Sequence, residues 1–381
     1  MSRKNFFSIL SQEIDRIDKA KTSKRFEKII DGFTKEKSPK AIIGKEKFQV
    51  FNSNDYLGLR HNPVLKKAEH QASEIFGTGP GAVRFISGSL KIHRDLEKTL
   101  AKFHERDDAM VFSSSFATNI AVMFCLLAGQ NKDSLVDSNV IVISDALNHR
   151  SIIDGIRVAN LPKEQRAIFS HMNPAHLETI LETNKKIYKR ALVVTDGVFS
   201  MLGEYQKLKK EVEGVKADVL IGTFGKAFGA DGGYVVANQT IIDYLRESAA
   251  TYIYSNSIPP GTAGAALKSI ELLDSPAGKK LLKSSKENVA YFKKRMKTVG
   301  FLFAADSSHP IQPVLIGDPF KTSALVSKLF KKNIIVTNIS YPVVPKGRDE
   351  IRVQISAVHT KGDIDQLVKA FQEEKVFPIS A

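Results

Sequence analysis

Lys226 stands in the stretch ADVLIGTFGKAFGADGGY (Ala217 to Tyr234), between a β-favouring run and a series of glycines. Val219 to Ile221 enters a turn at Gly222 to Gly225, and the chain leaves through Gly229, Gly232 and Gly233, which permit tight backbone geometry. A lysine presented this way reads as one held in a pocket. Other polar groups follow short β-rich runs: Ser114 and Ser115 after Ala109 to Phe112, His149 after VIVIS (Val140 to Ser144), Ser200 after ALVVT (Ala191 to Thr195), and Thr223 at the end of the run before Lys226. In a parallel, doubly wound sheet these strand ends line one crevice, the place where such folds bind ligands.

Hydroxyls and a helix N-terminus at Thr118 to Ala128 suit a phosphate, an imidazole can stack on an aromatic ring, and a desolvated lysine of lowered pKa can form a Schiff base. Together those parts suit pyridoxal phosphate. Taken singly, His149 also reads as a satisfied loop histidine and Lys226 as a surface lysine between glycines. The cluster Asn52 to Tyr56 reads as a capped turn or a substrate-facing loop, and GTGPGAVRFISGS (Gly77 to Ser89) as a structural loop.

The elements that must position these groups follow from periodicity. Leu10, Ile14 and Ile17 predict an amphipathic first helix, and Leu96, Leu100 and Phe103 a core-packed one. Lys35 to Lys47 reads as a linker or small hairpin. After Pro259 to Gly261, helices are expected over Thr262 to Leu273, Lys279 to Val299 and Ile364 to Glu374, with strands at Ile311 to Ile316, Ile334 to Thr337 and Ile351 to Ile355. The expected organisation is an N-terminal helix and linker over 1–47, a large α/β domain over 48–274 and a small α+β domain over 275–381.

With 381 residues, 43% of them hydrophobic, the chain can bury a sizeable core. Its longest apolar run, IAVMFCLLA (Ile120 to Ala128), is about half the roughly 20 residues of a membrane span, and no signal-peptide pattern opens the sequence, so a cytoplasmic protein is expected. Cys125 is the single cysteine, which excludes an intrachain disulfide and suggests a buried, inert thiol. The net charge of +15 comes mainly from scattered lysines without an aromatic-interleaved stripe. That pattern speaks for a solvated basic surface and small anionic ligands, not for nucleic acid or membrane as partner.

NDYLGL, GAVRFISGS, FSSSFATN, SDALNHRSIIDG, TDGVFSM, GTFGKAFG and YSNS occur in order over most of the chain. In these motifs the chain resembles the α-oxoamine synthases, fold-type I pyridoxal-phosphate enzymes that condense an amino acid with an acyl-CoA thioester. Within that family YPVVPKGRDEIRVQISAVHT (Tyr341 to Thr360) looks most like the glycine C-acetyltransferases, also called 2-amino-3-ketobutyrate CoA ligases. The spacing from Lys226 to Tyr234 and the IPP after YSNS are similar to 8-amino-7-oxononanoate synthases.

The resemblance implies a role for each matched residue. Lys226 would hold the cofactor and move the substrate Cα proton, and His149 would stack on the ring. Ser114, Ser115, Phe116 and Thr223 would bind the phosphate, with Ser255 and Ser257 reaching across from a second subunit of a homodimer. Ser200 would lie near the ring oxygen, Asn54 would approach the substrate, and Arg352 would clamp the amino-acid carboxylate. Glycine and acetyl-CoA are the implied substrates, condensed to 2-amino-3-oxobutanoate or formed from it in the reverse direction.

The chain departs from the family between TDGVFSM and GTFGKAFG, where the resemblance calls for a helix and a further central strand ending in Asp-x-x-His. Met201 to Lys216 (MLGEYQKLKKEVEGVK) has room only for a turn and a short charged helix, so roughly thirty residues, one strand-helix-strand unit, are absent. The missing carboxylate would keep the pyridine nitrogen protonated. A truncated relative retained as a dimeric scaffold is the alternative reading.

Overall fold

The computed structural model describes residues 3–20, 23–129, 131, 133–206, 216–341, 343–374 and 376. The chain divides into two compact units, Met1–Gln49 and Val50–Ala381. In the first, α1 (Arg3–Lys19) carries no buried residue and exposes Phe6, Phe7, Leu10 and Ile14. β1 (Gly32–Phe33), β2 (Ala41–Ile43) and β3 (Glu46–Val50) form an antiparallel meander, and the tight turn between the last two places Gly44 in the left-handed region.

In the second unit the valine- and isoleucine-rich runs become strands because their side chains can be covered on both faces. β4 is Asp108–Phe112, β5 Val140–Asp145, β6 Arg166–Phe169, β7 Arg190–Val194, β8 Leu220–Thr223 and β9 Gly233–Ala237. These six strands divide into two three-stranded sheets. One has the order β6-β5-β7 with parallel pairing, and the other the order β4-β9-β8 with antiparallel pairing. Between β7 and β8 the described residues make only the isolated bridge of Val198 to Tyr205. The expected mainly parallel sheet is thus interrupted where the central strand is absent from the sequence.

Burial records that interruption. β4, β5 and β9 are buried along their whole length, whereas β7 and β8 have no fully buried residue. Leu192 and Val194 of β7 nevertheless pack on the same core as Val219 and Ile221 at β8. That core is built around α4 (Ser115–Ala128) and contains Val122, Cys125 and Val142. Burial pushes the Cys125 thiol up to about 11, as expected of an inert buried cysteine.

Around the strands lie α2 (Pro63–Phe76), α3 (Lys91–Phe103), α5 (Arg150–Val158), α6 (Pro174–Asn184), α7 (Gln239–Ser248), α8 (Ala250–Ile253) and α9 (Pro260–Leu273). A side chain at Gly264 of α9 would come within 2.6 Å of the Ala72 Cβ on α2, so the glycine sets how closely these helices approach. The GTGPGAVRFISGS loop is anchored by Arg84, which lies 3.1 Å from the fully buried carboxylate of Glu97.

The chain continues through α10 (Pro276–Thr298), β10 (Ile311–Leu315), α11 (Pro319–Lys331), β11 (Ile334–Ile335), β12 (Thr337–Ile339), β13 (Glu350–Gln354) and α12 (Lys361–Glu374). Here β13 is flanked by β10 and β12, both antiparallel to it. Phe292, Val314, Leu325, Val353 and Phe371 share one core with Phe51. Among the described residues no helix is long and apolar enough to cross a membrane. Of the turn and short helix expected over Met201–Lys216, the turn is described: Phe199 N–H bonds Glu204 O, and Gly203 N–H bonds Phe199 O. Residues 207–215 lie outside the described residues.

Candidate active site

The strand ends bring the predicted residues together through loop hydrogen bonds. His149 follows β5 and caps α5, its Nδ1 accepting from Ser151 N at 3.2 Å and lying 2.8 Å from Ser151 Oγ. Asn148 donates to Val194 O at 2.7 Å and accepts from Asp196 N at 2.8 Å, which joins the ends of β5 and β7. Asp196 Oδ2 in turn accepts from His149 N at 2.7 Å.

Lys226 is half-buried at the turn beyond β8. Its pKa lies below the ordinary lysine value because burial disfavours the ammonium, opposed by Asp196 and assisted by Arg352. Asp196 is shifted upward, chiefly by burial, although His149 and Lys226 pull the other way. Desolvation lowers His149 as well, with Lys226 adding to that effect and Asp196 opposing it. Lys226, His149 and Asp196 therefore form one electrostatic group.

The N-terminus of α4 meets this group from the side of β9. Ser114 caps the helix, its Oγ accepting from Ala117 N at 3.1 Å, and first-turn N–H groups have no intrahelical partner. A Cβ on Gly233 would stand 2.3 Å from Ser115 N, so the glycine lets the strand back directly onto the helix start. Thr223 Oγ1 accepts from Gly225 N at 3.2 Å at the end of β8. Phe116 is exposed in the first turn of α4. Ser114, Ser115, Phe116 and Thr223 thus frame an anion-accepting corner.

Arg352 comes from β13. Its Nε donates to Ser200 O at 2.9 Å, and burial lowers its pKa while Tyr56 and Glu350 raise it. Gln354, two residues on, donates to Asn54 Oδ1 at 2.6 Å. Ser200 therefore reaches Arg352 through its carbonyl, and Asn54 joins the same wall. Ser255 and Ser257 lie in their own chain beside Ser113 and Arg84, with Ser257 buried and its Oγ lacking a hydrogen-bond partner among the described residues.

Sequence reasoning missed three members of the site. Tyr56, read only as part of the Asn52 to Tyr56 loop, interacts electrostatically with Arg352 and packs edge-on against His309 at 4.9 Å. His309 precedes β10, and burial together with the charges of Lys226 and Arg352 pushes its pKa down to about 4. Asp196 stands in TDGVFSM at the end of a strand, the same signal that marked His149, and was the easiest of the three to find.

The arrangement fits pyridoxal phosphate at the phosphate, where Gly233 lets β9 back onto the start of α4, at the ring face through His149, and at the lysine. The Asp-x-x-His pair has no counterpart by motif.

The aminotransferase class I and II family model matches residues 46–213 and 204–371. Its two matches overlap at 204–213, inside the stretch where the central strand is missing. The 8-amino-7-oxononanoate synthase of Thermoanaerobacter pseudethanolicus is 34% identical over 368 residues, covering 88% of this chain and 89% of that protein. Human mitochondrial 2-amino-3-ketobutyrate coenzyme A ligase is 37% identical over 357 residues, covering 85% and 81%. A solved structure of SPT with a PLP internal aldimine superposes with a TM-score of 0.85 at 25% identity and 98% coverage of both chains. By these matches the chain belongs to the class I and II aminotransferase family, in its α-oxoamine synthase branch.

Proposed function

We propose that this pyridoxal-phosphate-dependent acyltransferase condenses glycine with acetyl-CoA to 2-amino-3-oxobutanoate and CoA, or cleaves that product in reverse. The observation that carries the reading is the convergence of Lys226 and Arg352, groups from different elements that interact electrostatically across one site. Lys226 faces the amino end of a small α-amino acid and Arg352 its carboxylate. The motif Tyr341 to Thr360 and the relation to the human ligase support glycine and acetyl-CoA within the branch.

When bound, the cofactor supplies the electron sink for carbanion chemistry at the substrate Cα. The rest falls to the chain's residues. Lys226 Nζ, whose pKa burial lowers, takes the Cα proton and returns a proton after carbon–carbon bond formation. Arg352 fixes the carboxylate so that the Cα–H bond keeps one orientation, with Tyr56 and the Ser200 carbonyl restraining the guanidinium. His149 supports the ring, and the α4 N-terminus with Ser114, Ser115, Phe116 and Thr223 holds the phosphate. Ser255 and Ser257 complete the phosphate site of a partner in a homodimer.

A second reading has its own support. The 8-amino-7-oxononanoate synthase of Thermosipho melanesiensis is 35% identical over 365 residues, which favours a longer acyl thioester. Release of free thiol from acetyl-CoA and from longer acyl-CoA or acyl-carrier substrates, with glycine, alanine and serine compared, tests both. The proposed reading predicts fastest release with glycine and acetyl-CoA. Faster release with alanine and a longer acyl group replaces it with the second, and no release with any pair leaves a non-catalytic scaffold.

A further inference from the structure

The carboxylate that the family places on its central strand is missing, yet the crevice still holds a negative group in a defined place. Asp196 lies two residues beyond the end of β7, the strand that borders the interruption. Its backbone N–H is held by Asn148 Oδ1 and its Oδ2 by His149 N, so both the main chain and the carboxylate are fixed to the end of β5. Oδ1 takes no hydrogen bond from the described residues, which leaves one oxygen uncommitted.

Other carboxylates nearby are already engaged. Asp145 accepts from Leu147 N at 2.9 Å and Met172 N at 3.0 Å, and lies 2.9 Å from His171 Nδ1. Glu204 is within 3.3 Å of the other nitrogen of that histidine. Lys226 and His149 both interact electrostatically with Asp196.

We propose that Asp196 is a positioning residue that supplies, in this chain, the negative charge facing the cofactor which its relatives take from the Asp-x-x-His segment. The inference rests on Lys226 as the cofactor lysine. A carboxylate in a desolvated site favours protonated, cationic forms of the groups around it, so Asp196 holds protons on the bound cofactor that would otherwise be lost to the basic surroundings of Lys226 and Arg352. The charged groups that act on Asp196 itself are His149, Lys226 and, repulsively, Asp145.

The test is the pH titration of the visible band of the cofactor-loaded protein without substrate, for the parent, Asp196→Asn, Asp196→Ser, Asp196→Glu and Lys226→Ala. Asn preserves an acceptor for His149 N–H and removes only the charge. The transition should move down by about one pH unit or more in the Asn and Ser variants and stay near the parent in the Glu variant. A transition unchanged in both neutral variants, or one moved equally by Glu, overturns the proposal. Loss of the band in Lys226→Ala confirms the lysine. If that variant keeps the parent's band and titration, the lysine reading fails separately from the Asp196 inference.

Discussion

The C-terminal sheet and the strands around the cofactor crevice are written in the same alphabet of valine, isoleucine and leucine, and fold to different degrees of closure. β13 has a neighbour on each side, and Ile351 and Val353 are completely buried. β7 and β8 each have one neighbour, and Val193 is 40% exposed. The difference shows what holds the site. Its residues converge through the loop bonds of Asn148, His149 and Asp196 and through Arg352 on Ser200, with no β ladder between β7 and β8 among the described residues. Chemistry at strand ends can persist where strand edges stay open.

The severest way to break this comparison is Lys226→Ala, expected to lower turnover by about 10⁴-fold or more while thermal stability changes little, because only the crevice depends on this side chain. Turnover and melting temperature measured on one preparation check it. Turnover within tenfold of the parent would sever the open crevice from the chemistry.

Next comes the closed sheet. Glu350 on β13 is fully buried, neither carboxylate oxygen has a hydrogen-bond partner among the described residues, and desolvation pushes its pKa up to about 8 despite Arg352 and Arg348. A folded pKa above the unfolded value of 4.5 means that this group's stabilising contribution is full below about pH 4.5 and is lost as pH rises through 8. Glu350→Gln should therefore be more stable than the parent at pH 9, by on the order of 3–5 kcal/mol, and nearly equal to it at the acid end. Denaturant unfolding at several pH values decides it, and a difference independent of pH contradicts the assignment.

Core truncations sharpen the contrast between closed and open strands. Ile143→Ala in fully buried β5 should cost about 2–5 kcal/mol, whereas Val193→Ala on half-covered β7 should cost under about 1 kcal/mol. Equal costs would mean that β7 is covered in solution. Arg352→Lys should raise KM for the amino acid by about 10- to 100-fold with a smaller change in kcat, because the bidentate fork is replaced by a point charge. Steady-state kinetics with varied amino acid reads this, and an unchanged KM would place the carboxylate elsewhere.

Much of the fold was legible because contiguous β-branched runs declare themselves. VIVIS, ALVVT and IRVQI became β5, β7 and β13 within a residue or so of their expected limits. β9 was not legible as a strand: Gly232 and Gly233 looked only like the exit of a turn, yet Gly233 begins the strand and supplies the close approach to α4. β6, RAIF with an exposed arginine and an exposed isoleucine, lacks the apolar run that marks a buried strand. Motifs were what singled out Lys226, His149 and Arg352 as candidate site residues. Tyr56 and His309 escaped because their membership depends on contacts between residues about 250 apart in sequence, which local spacing cannot encode.

The central claim is that the half-open crevice loads its cofactor on Lys226. Borohydride reduction of the pyridoxal-phosphate-loaded protein, followed by peptide mass mapping, tests it most directly. A pyridoxyl mass confined to the peptide carrying Lys226 is the result this account predicts. A label spread over surface lysines, or none on that peptide, would contradict it.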